Sequence, residues 1–139
     1  MNNSRLVPRK IKKEDWSTLE KWWNSWPNSS APPKESLPGN GTGGIIIEDN
    51  GKPVIAGFIY QTNSKLAMLE GIISNPNYRG KQKRDKSLEI LVACLYETIK
   101  LMGCKYIFAM TDNKKIINLG IKLGWCLDAR PNYTLTKIL

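Results

Sequence analysis

The sequence predicts an α+β sandwich: a mixed, mostly antiparallel sheet of about six to seven strands, with helices on its faces. Three observations carry that expectation. Strand-like runs from Gly44 to Glu48, Pro53 to Gln61 and Leu66 to Ser74 follow one another closely, with Asn50-Gly51 at the first turn, which is the pattern of an antiparallel meander. Leu88, Leu91, Val92, Leu95, Ile99 and Met102 recur at helical spacing and predict a helix from Lys86 to Met102, ended by Gly103. Between these signals lies Asn75-Pro76-Asn77-Tyr78-Arg79-Gly80-Lys81-Gln82-Lys83-Arg84, a strand-to-helix loop that carries a glycine and several cations.

The remaining elements follow in order. Arg5 to Ile11 reads as a first strand, with Pro8 tolerable at a sheet edge. Lys13 to Trp26 reads as a helix opened by Glu14 and Asp15 near its positive end. Trp16, Leu19, Trp23 and Trp26 make one apolar stripe on it, with Trp22 beside them. Pro27 to Gly44 is rich in Pro, Ser and Gly and reads as a long irregular loop. Lys105 to Thr111 is almost wholly apolar at its centre and reads as a buried strand. Asp112 or Asn113 caps a further helix to Leu123, stopped by Gly124. Trp125 to Asp128 and Tyr133 to Ile138 read as two last strands around a turn. The order is β-α-β-β-β-α-β-α-β-β, in one domain spanning residues 1–139.

Composition narrows the chemistry. There is no histidine, which removes Ser/His/Asp triads, Cys/His dyads and most zinc sites. Cys94, Cys104 and Cys126 lack metal-ligand spacing and read as reduced, partly buried thiols. No apolar run is long enough to span a bilayer, and residues 1–10 lack the layout of a signal peptide, so a cytoplasmic protein with no membrane partner is expected. The net charge of +9 implies an anionic partner. Arg79, Lys81, Lys83, Arg84 and Lys86 form one cluster of that charge, and it coincides with the strand-to-helix turn. Free N–H groups of a first helical turn, the helix dipole and cationic side chains together favour a phosphate or pyrophosphate there.

Pro76, Tyr78, Arg79, Gly80 and Lys81 match, in register, the loop Pro-x-Tyr-Arg-Gly-Lys-Gly-x-Gly that follows the fourth strand in the GNAT superfamily of acetyl-coenzyme A-dependent N-acetyltransferases. Asn113 and Leu123-Gly124-Trp125 look like that family's Asn after the fifth strand and its Leu-Gly-Phe helix ending. The chain thus resembles a GNAT protein, most strongly from Glu70 to Trp125. The resemblance implies a sheet splayed between its fourth and fifth strands, with acetyl-coenzyme A (coenzyme A) as cofactor. It assigns the backbone of Ile72, Ile73 and Ser74 to the pantetheine arm. Arg79, Gly80, Lys81, Gln82, Lys83 and Arg84 are assigned to the pyrophosphate, and Asn113 to a further cofactor contact. Direct transfer to the amine of a small-molecule or protein acceptor is the implied reaction. Glu70 is the candidate general base: it is read as sharing a strand face with Met68, Ile72 and Ser74, where a carboxylate gains a raised pKa. In the family the first helix and the segment after it wall the acceptor site, which makes Trp22 and Trp26 candidate acceptor contacts.

Two departures stand against that pattern. Gln82 and Arg84 replace the loop's last two glycines, and Gly120 stands where family members often carry the Tyr that protonates the leaving thiolate. Nothing in the spacing of Tyr78, Tyr106 or Tyr133 assigns that role to them, and each reads as a packing residue. Gly80-Lys81-Gln82-Lys83-Arg84 also looks like the loop of small acetyltransferase-like phage proteins, including virion proteins. A catalytically degenerate GNAT-like virion or binding protein is therefore the alternative. A basic nucleic-acid-binding module is a weaker one, because the aromatics sit at core positions rather than among the cations. Monomer and homodimer both remain open.

Overall fold

The structure is a computed structural model that describes residues 4–139; positions 1–3 of the N-terminal segment read above lie outside the described residues. β1 (Leu6–Lys10), β2 (Gly44–Asp49), β3 (Lys52–Gln61) and β4 (Leu66–Ser74) pair antiparallel in sequence order, and β5 (Tyr106–Phe108) pairs parallel with β4. Asn50 (φ 52°) and Gly51 (φ 83°) both take left-handed backbone and close the β2–β3 hairpin in the twist that neighbouring strands require. Pro8 lies on β1, an edge strand, where its missing donor costs no ladder bond to a further strand.

Period-two alternation, interrupted at Val54 by a register shift between β2 and β3, divides the apolar residues between two layers. Ile47, Val54, Ile55, Ile59, Ala67 and Leu69 pack with Leu88, Leu91, Val92, Leu95 and Ile99 of α2 (Lys81–Leu101). On the opposite face, Ile46, Ala56, Phe58 and Ile73 pack with Leu19, Trp22 and Trp23 of α1 (Trp16–Ser25). α3 (Lys114–Lys122) follows β5, and the Asn113 side chain caps it by accepting from the N–H groups of Lys115 and Ile116. No described helix is long and apolar enough to cross a membrane.

Several expectations need correction. α2 begins at Lys81 rather than Lys86, because Gly80 (φ 106°) turns the chain and a Lys81–Asp85 pair at 3.2 Å supports the first turn. Met102 caps that helix and is exposed rather than part of its apolar face. β5 is three residues long and not buried: Tyr106 and Phe108 are 65% and 46% exposed, since β5 has a strand on one side only. Residues 125–139 form no strand, so the sheet has five strands rather than six to seven. Tyr133, Leu135 and Ile138 are each more than nine-tenths exposed. An alternating segment becomes a strand only where an edge accepts it.

One ionic cluster ties β1 to the start of α1. Arg9 donates through Nη1 and Nη2 to both oxygens of Asp15, at 2.7 and 2.9 Å, and its Nε lies 3.1 Å from Glu48. Asp15 also accepts from the Lys12 N–H at 2.7 Å. The Arg9 hydrogen bonds hold the Asp15 carboxyl below the usual carboxylate range, although burial opposes them. A depressed acid stabilises the fold above its unfolded pKa, and that contribution is lost as pH falls through the folded value. Asp15→Asn is therefore expected to cost about 1–3 kcal/mol at neutral pH, with the difference from wild type shrinking below roughly pH 4. Urea denaturation across pH checks this; a gap that persists unchanged in acid contradicts it.

Candidate active site

The site begins with a break in register. Phe58 pairs with Glu70 but Ala56 pairs with Ile73, so Gly71 and Ile72 of β4 face Gly57 alone on β3. Gly71 is at φ 69°, the left-handed region in which glycine serves a bulge. A Cβ there would stand 3.1 Å from the Phe58 ring. The bulge corrects the face expected for Glu70. Ile73, not Ile72, continues the α1 side of β4, whereas Ile72 packs with the α2 layer.

β4 and β5 then part. Only Leu66, Ala67 and Met68 pair with Tyr106, Ile107 and Phe108. Beyond them, the Met110 N–H donates to Glu70 Oε1 at 2.7 Å, a side chain reaching across where no ladder bond forms. A cavity of about 300 Å³ opens past this point, between Ile72, Ile73 and Ser74 of β4 and Asn113, Lys115 and Ile116 at the start of α3. Trp26, Tyr78, Arg84 and the carboxylate Asp85 also line it, together with Val54, Ile55, Asn75, Ser87 and Leu88. The expected splay between the fourth and fifth strands is present.

The first turn of α2 meets this opening. Arg84 makes the first main-chain bond of the helix, to the Gly80 carbonyl, which leaves the N–H groups of Lys81, Gln82 and Lys83 without an acceptor among the described residues. Arg79, Gly80, Lys81, Gln82 and Lys83 are exposed and Arg84 is half-buried. The Arg84 guanidinium lies 5.2 Å from the Trp26 ring centroid, 3.3 Å from Ser74 Oγ and 3.5 Å from the Tyr78 carbonyl. Both hydrogen bonds are long and weak. Trp26 is itself fixed by its indole N–H, which donates to the Ser74 carbonyl at 2.8 Å. Asp85 bridges Lys81 and Lys115, each at 3.2 Å, and so ties the starts of α2 and α3 together. The Lys115 and Lys81 hydrogen bonds hold its carboxyl below the usual range.

On the α1 side of β4 a second cavity of about 600 Å³ holds Glu70, with Trp23, Leu37, Tyr60, Met68 and the loop residues Ser29 and Ser30 around it. Burial pushes the Glu70 carboxyl above its ordinary pKa, and the Met110 N–H partly opposes that. Glu70 Oε2 makes no hydrogen bond among the described residues. The Tyr60 phenol is raised by burial first and by the Glu70 charge second.

Of the residues expected from sequence, Ile72, Ile73, Ser74, Arg84 and Asn113 line the first cavity, and Glu70 lies at the start of the gap and lines the second. Trp26 faces the first cavity rather than the second, and Trp22 is a buried core residue lining neither. Trp23 and Tyr60 were not anticipated. Tyr60 is opposite Met68 in the β3–β4 register, a pairing that places it beside Glu70 and that no local pattern reveals. The Tyr78 hydroxyl donates to Asp49 at 2.8 Å, and burial and that carboxylate push its pKa to about 12. Tyr106 and Tyr133 are exposed and line neither cavity, and Gly120 packs toward Trp125.

No protein-family model matches the chain, and comparison with curated proteins finds no match in sequence. Solved structures do match in arrangement. The ribosomal-protein-S18-alanine N-acetyltransferase from Escherichia coli superposes with a TM-score of 0.69 at 18% identity, over 86% of this chain and 77% of that one. The aminoglycoside N-acetyltransferase AAC(6')-Iy, in complex with a bisubstrate analogue of coenzyme A and acetylneamine, matches at 0.65 and 17% identity, over 97% and 100%. An acetyltransferase from Trypanosoma brucei matches at 0.63 and 15%, over 95% and 100%. This chain has the GNAT fold. At such identities the likeness to GNAT structures lies in the arrangement of elements, and the residues of the site must be argued on their own chemistry.

Gly71→Ala tests whether the glycine holds the bulge. Backbone strain and the Phe58 contact together predict a loss of about 1–3 kcal/mol in urea denaturation; unchanged stability contradicts this account of the register break.

Proposed function

We propose that this chain transfers an acetyl group from acetyl-coenzyme A to an amine by direct attack. The observation that carries the reading is the gap between β4 and β5, with a carboxylate at its start and an unsatisfied cationic helix turn at its mouth. Structural neighbours are acetyltransferases, and one of them binds a coenzyme A bisubstrate analogue. The residues here fit the same cofactor. The free N–H groups of Lys81, Gln82 and Lys83, with Arg79, Lys81, Lys83 and Arg84, would hold the pyrophosphate. Arg84 is held only by weak hydrogen bonds and its place over Trp26, so it can turn to an anion. Main-chain groups of Ile72, Ile73 and Ser74, at and beyond the bulge, would hold the pantetheine arm, with Asn113 and Lys115 lining the same cavity from the start of α3.

Acetyl-coenzyme A supplies an activated acyl group. The chain supplies position and a base. Glu70 takes a proton from the incoming ammonium, directly or through water, and the neutral amine becomes the nucleophile. The Met110 N–H fixes one carboxylate oxygen and leaves Oε2 without a hydrogen bond among the described residues, on a side chain lining the second cavity, which would take the acceptor. The cysteines are unbridged, in keeping with a reducing compartment such as the cytoplasm. A second reading, a GNAT-fold protein that binds coenzyme A without turning over an acceptor, is favoured by Gly120, which offers no hydroxyl to the leaving thiolate. A nucleic-acid role has less support, since Trp22 and Trp23 are core residues and not a stacking platform.

Coenzyme A at a hundredfold excess over its Kd is expected to stabilise the chain by about 2.7 kcal/mol in thermal denaturation. Arg84→Glu should abolish most of that gain; a variant stabilised as well as wild type removes Arg84 from the phosphate site. Glu70→Gln is expected to lower kcat/KM roughly 10²–10⁴-fold with coenzyme A affinity intact. A base with a raised pKa is inactive until pH passes that value. The wild-type acid limb should therefore lie above the ordinary glutamate pKa and vanish in the variant; an unaltered profile takes the base role from Glu70.

A further inference from the structure

The acceptor cavity carries a charge opposite to that of the protein. The chain has 21 Lys and Arg against 12 Asp and Glu. Yet among the described residues no Lys or Arg lines the cavity beside Glu70, and Glu70 is its one acidic group. Its other titratable side chain is Tyr60, a phenol driven further toward its neutral form by burial and by Glu70. The surrounding wall is mainly apolar and sulfur-bearing, from Trp23, Leu37, Met68 and Met110. Hydroxyls of Ser29 and Ser30 lie on the loop side.

We propose that the acceptor is a small primary amine with one positive charge and an aliphatic or aromatic body, bearing no carboxylate or phosphate. This rests on the transferase reading above. The charge is recognised by Glu70, whose Oε1 is held by the Met110 N–H and whose Oε2 has no hydrogen bond among the described residues. The body is recognised by the tryptophan, leucine and methionine walls, where apolar area leaves water. A carboxylate on the amine would stand near Glu70 with no cation to offset it, and like charges so placed disfavour binding strongly. The chain's net charge suggests an acidic or neutral acceptor; the local charge of the cavity decides otherwise, because much of the cationic excess lies around the first turn of α2 and the start of α3.

The reaction balances on these groups. The ammonium gives one proton to Glu70; its nitrogen forms the C–N bond while the C–S bond of the thioester breaks. The second proton goes with the thiol, and Glu70 returns its proton to water. The product is a neutral amide. It no longer carries the charge that Glu70 attracts, so the same carboxylate that selects substrate does not retain product.

The test uses the whole chain with matched probes: tyramine and phenethylamine against tyrosine and phenylalanine, which differ only by the carboxylate. Binding is measured calorimetrically without cofactor, and acetylation by thiol release with acetyl-coenzyme A. The decarboxylated amines are expected to bind and react at least tenfold better than the amino acids. Glu70→Gln should weaken tyramine binding at least tenfold while coenzyme A still stabilises the protein. Equal or better use of the amino acids, or tyramine binding unaffected by Glu70→Gln, overturns the inference. Met68→Lys provides a second check if Glu70→Gln does not fold: a cation in the cavity should narrow or reverse the preference, and an unchanged preference counts against the proposal. If coenzyme A binds but the probes do not, the acceptor inference falls and the cofactor site stands. If the amines bind as described but no thioester is consumed, the transferase reading falls and the cavity's preference stands.

Discussion

Gly71 adopts a backbone conformation open to few other residues, and β4 changes register there against β3. Before that point Met68 and Glu70 look toward α1; after it Ile73 takes that side and Ile72 turns to α2. The same short stretch therefore aims a carboxylate into one cavity and lines the other with Ile72, Ile73 and Ser74. Because β5 stays beside β4 only as far as Met68 and Phe108, the Glu70–Met110 hydrogen bond spans the start of the gap without closing what lies beyond it. A continuous ladder would leave no opening between β4 and β5. One glycine and one early-ending strand create the site's geometry.

Charge is then sorted across that geometry. Cations gather where α2 begins, at the end of a helix that already carries partial positive charge. Asp85 pairs with two of them, Lys81 and Lys115, and so links the starts of α2 and α3. On the other side a single carboxylate stands among apolar walls. Under the proposed transfer, an anionic cofactor would be drawn to the α2 turn and a cationic acceptor to the carboxylate, which suits a reaction that must join them.

What the sequence disclosed depended on how local each signal was. The α2 apolar face from Leu88 to Ile99, the Asn50-Gly51 turn, the limits of β4 and the Asn113 cap are each determined by residues within a few positions, and each appears as expected. The cationic loop and Glu70 were legible as chemistry. Their orientation was not, because a bulge is a relation between two strands: the pattern through Glu70 gives no sign that Ile73 rather than Ile72 will follow it. Trp23 and Tyr60 were hidden for the same reason, one by its membership of a core stripe and one by a cross-strand partner. The last two expected strands failed differently. Their alternation is real, but residues 125–139 form no ladder, and alternation without a partner edge makes no sheet.

Amide hydrogen exchange with and without coenzyme A reads the gap directly. Slower exchange is predicted in two separate stretches, residues 72–74 past the bulge and residues 81–83 in the first turn of α2, since an arm threaded between the strands and a diphosphate on the helix must protect both. Bound coenzyme A that left both stretches exchanging as in the free protein, or protected only the exposed face of the helix, would contradict the account.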